Sequence, residues 1–146
     1  LRGTADLPFK TLYAGFPPGS QIGEQFRREL ARRTTTKLVS RPQDAQVVLQ
    51  ITGENREKDI VAYSGVGRPR LFELRQRLRY RAYDGGEIEY IPPTEIVLRR
   101  DISAADNQLT ARVDEEVLLF RDMQDDMVNQ LLRRLATIEL HPAPGG

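Results

Sequence analysis

Apolar residues along this chain follow two periods, and each change of period marks an element. Phe9 to Ala14 is a short β-rich run closed by Gly15, Pro17, Pro18 and Gly19, which predicts a strand and a turn. Ser20 then stands where an N-cap is needed. Ile22, Phe26 and Leu30 recur at four-residue spacing on a polar background, predicting a surface helix of about 14 residues. The β-branched run Thr34 to Thr36 disfavours its continuation.

Beyond Pro42 the period falls to two. Val47, Leu49 and Ile51 alternate with other residues, continue through the polar stretch Glu54 to Asp59, and meet apolar positions again at Ile60 to Tyr63. Leu71 to Asp84 is the clearest strand. Phe72, Leu74, Leu78, Tyr80 and Ala82 fall on one face; Glu73, Arg75, Arg77, Arg79 and Arg81 fall on the other. Asp84-Gly85-Gly86 signals a tight turn into Ile88–Ile91. A Pro92-Pro93 interruption and a last strand through Ile96, Val97 and Leu98 follow, so an edge position or a bulge is expected there.

From Gln108 to Ala136 the period becomes helical. Val113, Val117, Phe120, Met127, Leu131 and Leu135 form one face, widened by Met123 and Val128, and Asp106 or Asn107 can cap the start. Such a helix would be roughly 42 Å long, enough to cross a four-stranded sheet. The first half is acidic and the last turns carry Arg133 and Arg134, matching the helix dipole. One amphipathic face per element predicts a single α+β domain, a two-layer sandwich in the order β-α-β-β-β-α. Both helices should lie on one face of a four-stranded sheet, with a loose Pro/Gly-rich tail over residues 138–146.

Composition narrows the chemistry. At 146 residues the chain is long enough for a core without staples, and 39% hydrophobic residues fit a globular domain. With no cysteine there is no disulfide or thiolate site. The one histidine, His141, lies in the expected tail beside Pro142, so a Ser-His-Asp or His-metal arrangement has almost nothing to build on, and no cofactor is expected. The carboxylates cluster on the solvated side of the last helix. Gly65-Val66-Gly67 is too short for a phosphate-binding loop. A non-enzymatic binding module is expected. No run of 18 apolar residues occurs, and the first residue is Leu1 rather than Met, as in a chain whose targeting segment has been removed.

Charge supplies the candidate site. Arg68, Arg70, Arg75, Arg77, Arg79 and Arg81 stand against Glu73 alone between positions 68 and 81, which makes that segment +5 in a chain of net charge +1. Alternate side chains on a strand lie about 6.6–6.8 Å apart, so the row is a set of forked donors suited to several anionic groups on one ligand. Arg56 and Lys58 are nearby candidates for the same ligand. The other reading is a wet sheet face whose arginines pair with acids on neighbouring strands, namely Glu54, Glu89 and Glu95. Nucleic acid fits poorly, because no aromatic residues interleave with the arginines on their face.

Several words, in order, resemble the lipopolysaccharide-assembly lipoprotein family LptE. They are Leu1-Arg2-Gly3 before the first strand, Gly67-Arg68 with Phe72-Glu73-Leu74, Leu98-Arg99-Arg100-Asp101, and Asp106-Asn107-Gln108-Leu109. Glu115-Glu116, Leu118-Leu119-Phe120-Arg121-Asp122-Met123 and Gln130-Leu131-Leu132-Arg133-Arg134-Leu135 continue the match over essentially the whole chain. The resemblance implies two helices on a four-stranded sheet and a protein that plugs and helps assemble the outer-membrane lipopolysaccharide (LPS) translocon barrel. It also implies LPS binding and a periplasm-facing lipid anchor on a cysteine upstream of Leu1, a residue not in this sequence. The free domain is expected to be a monomer. The alternative is a periplasmic accessory lipoprotein of an ABC-type transport system that acts only through protein contacts.

Overall fold

A computed structural model of the chain describes residues 6–103 and 109–140, the side chains of 109–113 excepted. Strand β1 (Thr11–Gly15) turns through Gly19, at φ +82°, into helix α1 (Gln21–Arg33). Ser20 caps this helix as expected: its Oγ accepts from the Gly23 N–H at 2.9 Å, satisfying a donor that every helix start leaves open. At the other end the Thr34 hydroxyl and N–H both donate to the Leu30 carbonyl, and the chain leaves in an extended conformation. Strand β2 (Lys37–Leu38), a 3-10 turn (Pro42–Asp44), the long strands β3 (Val47–Tyr63), β4 (Pro69–Tyr83) and β5 (Glu89–Ser103), and helix α2 (Leu109–Leu135) complete the described order.

The sheet runs β2-β1-β3-β4-β5; β1 is parallel to β2 and β3, and the rest is antiparallel. It therefore has five strands, not four. The extra strand pairs only Lys37 and Leu38 with Thr11 and Leu12, and both of its residues are exposed. Two residues cannot display an alternation, so no hydrophobic pattern marks them. The two-layer α+β arrangement is otherwise as expected. Leu74, Leu78, Tyr80 and Ala82 of β4 share one buried cluster with Phe26 and Leu30 of α1 and with Met123, Met127, Leu131 and Leu135 of α2. β5 is an edge strand, and its register shifts around Pro92 and Pro93, where a residue without an N–H is tolerated.

Two expectations need adjustment, and others fall outside the described residues. Val117 is 52% exposed rather than buried; it lines an open cleft with Arg56, and the neighbouring Glu116 pairs with Lys58. Ile138 is buried and Leu140 packs on the core, so the chain stays anchored past 138. His141 and the rest of 141–146 lie outside the described residues, as do the Asp106/Asn107 cap, Gln108 and Leu1-Arg2-Gly3; the side chain of Val113 does too.

One irregularity decides the site. Ile51 pairs with Tyr80, but Gly53 pairs with Arg79, so β3 carries an extra residue at Thr52. A bulge of this kind exchanges the two faces of the strand beyond it. Val47, Leu49 and Ile51 face the helices before it; Glu54, Arg56, Lys58 and Ile60, opposite the even residues of β4, face that side after it.

Candidate functional site

β4 is flanked on both sides, and its odd residues present the arginine row to the helix-free face of the sheet. Acids stand opposite nearly every member. Arg75 donates to Glu57 at 2.7 Å, Asp59 at 2.6 Å and Glu73 at 2.8 Å. Arg77 lies 3.4 Å from Glu57 and 3.5 Å from Glu95, and Arg79 reaches Glu95 at 2.9 Å. Arg81 lies 3.4 Å from Glu89, donates to Gln50 and stacks 4.1 Å above the Tyr83 ring. Arg99 of β5 comes within 3.8 Å of Glu73.

Register places Glu57, Asp59, Glu73, Glu89, Glu95 and Asp101 on this face against Arg75, Arg77, Arg79, Arg81 and Arg99. The row is a ladder of shared ion pairs, with no net positive field. Arg75 hydrogen bonding holds the Glu57 carboxyl below its usual range, and Arg79 does the same for Glu95. Hydrogen bonds to Glu73, Asp59 and Glu57 push the Arg75 guanidinium up. Of the acids expected to pair, Glu89 and Glu95 do. Glu54 does not: beyond the bulge it faces the helices, accepting from the Ser20 hydroxyl at 2.9 Å. Glu57 and Asp59 take the role assigned to it.

The same bulge removes Arg56 and Lys58 from the row. The Arg56 guanidinium sits 4.4 Å above the Phe120 ring of α2. Lys58 sits 4.6 Å above the Phe72 ring and pairs with Glu116 at 2.8 Å. Beside them a cleft of about 530 Å³, bounded by Gln21, Arg56, Phe120 and Gln124, opens between α2 and β3. A smaller hollow of about 170 Å³ reaches Gln76. That side chain is 2% exposed and its Oε1 has no hydrogen-bond partner. It is a polar residue in an otherwise apolar β4 face, which the sequence pattern passes over.

Arg68 and Arg70 belong to a third place, the far tip of the β3–β4 hairpin. At about 3.3 Å per residue, the 15 residues of β4 span roughly 50 Å; the buried core ends at the rung where Phe72 pairs with buried Ile102, short of the tip. The tip turn is fixed by Ser64, whose N–H donates to the Arg68 carbonyl at 2.7 Å and whose Oγ accepts from the Val66 and Arg68 N–H groups. Gly67 takes φ +79° there, a conformation that suits glycine. Around the turn, Ile60 (42%), Val61 (49%), Tyr63 (61%) and Val66 (81%) are exposed. Among the described residues, the exposed side chains of Arg68 and Arg70 make no ion pair. The sequence signal for this tip is apolar residues on both strand faces at Ile60 and Val61, where no element follows that could bury both.

The chain resembles solved structures of lipoproteins over nearly its whole length. An uncharacterised lipoprotein B from Nitrosomonas europaea is 36% identical, with a TM-score of 0.82 over 93% of this chain and 88% of that one. The rare lipoprotein B of Shewanella oneidensis is 19% identical, with a TM-score of 0.75 over 88% and 95% of the two chains. A minor lipoprotein of Acinetobacter baumannii is 16% identical, with a TM-score of 0.71 over 94% and 99%; these last two show the fold alone. No curated protein matches the sequence. The lipopolysaccharide-assembly family model matches residues 9–135, and the chain belongs to that family, LptE.

Proposed function

We propose that the protein is an outer-membrane lipoprotein, facing the periplasm, that plugs and helps assemble the LPS translocon barrel and takes LPS at its β3–β4 hairpin tip. One observation carries the LPS part: the tip joins two cationic side chains that make no ion pair among the described residues, Arg68 and Arg70, to exposed Ile60, Val61, Tyr63 and Val66. LPS joins phosphates to acyl chains, and a tip with both chemistries addresses both parts of it. The ion-paired ladder has another role in this reading. A barrel lumen is polar, and a face of alternating, mutually satisfied charges can lie against it without burying an unpaired ion.

Site-specific photo-crosslinking in cells separates the two surfaces. A photoreactive residue in place of Val66 is expected to trap LPS, and one in place of Arg79 or Val97 on the ladder face is expected to trap the barrel. LPS trapped at position 79 but not at 66 would return the site to the arginine row. Barrel trapped on the ladder face with LPS at neither position would favour an assembly protein acting only through protein contacts.

A further inference from the structure

The end of the molecule opposite the hairpin tip carries an apolar groove of its own. Both helices finish there, each with two arginines in its last turn: Arg32 and Arg33 in α1, Arg133 and Arg134 in α2. Between them a groove of about 370 Å³ is walled by Leu7, Leu132, Ala136 and Thr34, with Arg33 and Arg133 at its sides. Its polar residues have little to offer a polar ligand. The Thr34 hydroxyl is spent on the Leu30 carbonyl at 2.8 Å, and the Thr137 hydroxyl on the Arg134 carbonyl at 2.6 Å. The exposed surface of the groove is therefore mainly carbon. Apolar hollows of about 150 Å³ already admit a benzene-sized guest, so this one has room for a stretch of hydrocarbon chain.

Charge says which hydrocarbon. Arg33 donates to Asn129 at 2.6 Å and lies 3.6 Å from Glu29, so it is held in place beside the groove. Arg133 is exposed and makes no ion pair among the described residues. An apolar slot with guanidinium groups at its side matches a chain that ends in a phosphate, since Arg forks grip phosphate oxygens in pairs.

We propose that this groove holds an acyl chain of an anionic membrane phospholipid, with Arg133 on its phosphate and Arg33 alongside. The proposal rests on the membrane-anchored reading above only for the supply of lipid. It gives the protein a second lipid contact at the end of the sheet away from the LPS tip.

Titration of the full chain with octyl, decyl and dodecyl phosphate below their critical micelle concentrations tests it, read by backbone amide NMR. Shifts are expected at Thr34, Ala136 and Thr137, with binding tightening about fourfold per methylene until the groove is full. Ala136→Phe, which fills the groove, should abolish the response, and Arg133→Glu should weaken it about tenfold or more. Vesicles of phosphatidylcholine should bind the chain better when phosphatidylglycerol is included, and Ala136→Phe should remove that gain. Folding of each variant is checked by its amide spectrum, and LPS retention through the hairpin tip should survive in both. Loss of LPS retention with these shifts intact would fault the tip assignment alone. The proposal is overturned if the shifts centre on Val66, if they persist in Ala136→Phe, or if dodecyltrimethylammonium binds as well as dodecyl phosphate.

Discussion

Two groups of arginines lie on one strand, β4, and their surroundings make them different chemical objects. Arg75, Arg77, Arg79 and Arg81 occupy its middle, where β3 and β5 bring Glu57, Asp59, Glu89 and Glu95 alongside. Arg68 and Arg70, at the tip, have exposed apolar residues for company and no ion pair among the described residues. A guanidinium shared among three carboxylates, like that of Arg75, must give up those partners before it can bind a phosphate. One in open solvent gives up only water. The difference shows that position in the sheet, rather than the number of arginines, decides which of them are available.

The comparison is most sharply tested by charge reversal. Arg68→Glu with Arg70→Glu should lower LPS retention about 100-fold, taking each charge-assisted contact as worth about tenfold. The melting temperature should stay unchanged, because neither residue makes an ion pair among the described residues. Val66→Ser removes apolar surface from the tip and should lower retention about tenfold, again without a change in melting temperature. A Val66→Ser protein that retains LPS normally would mean that acyl chains do not meet the tip.

Arg75→Ala should behave in the opposite way. It leaves Glu57, Asp59 and Glu73 facing one another, so the melting temperature should drop, more at low salt than at high, while LPS retention by folded protein changes less than about threefold. The smallest effect is that of pH. The fold depresses the pKa of Glu57 and of Glu95 below the ordinary 4.5. Their contribution to stability is therefore full above about pH 4.5 and is lost as pH falls through the lower, folded values. Thermal melts from pH 6 down to about pH 3 should show this loss, and it should be smaller in an Arg75→Ala, Arg79→Ala protein.

Much of this was legible in the sequence because it rests on sustained periods, in which Gln76 of β4 is a single exception. The alternation of Phe72 to Ala82, the four-residue spacing of Ile22, Phe26 and Leu30, and the Ser20 cap each specify a local structure that the core then uses. What escaped rests on breaks in period. β2 is two residues long, too short to carry one. The bulge at Thr52 turns Arg56 and Lys58 toward α2 and brings Glu57 and Asp59 to the arginines. Its sequence signal is a lone glycine, Gly53, inside a strand pattern, which marks a bulge or a close backbone approach. The bulge exchanges the faces of half a strand and so parts Arg56 and Lys58 from the row, whereas Arg68 and Arg70 stand apart only through their place at the hairpin tip.

The proposal that Arg68 and Arg70, and not Arg77 and Arg79, meet LPS is tested directly by equilibrium LPS binding to two folded double variants measured side by side. Arg68→Ser with Arg70→Ser should lose most of the affinity, while Arg77→Ser with Arg79→Ser should keep it within about threefold. The reverse pattern, full affinity in the tip variant and loss in the ladder variant, would contradict it.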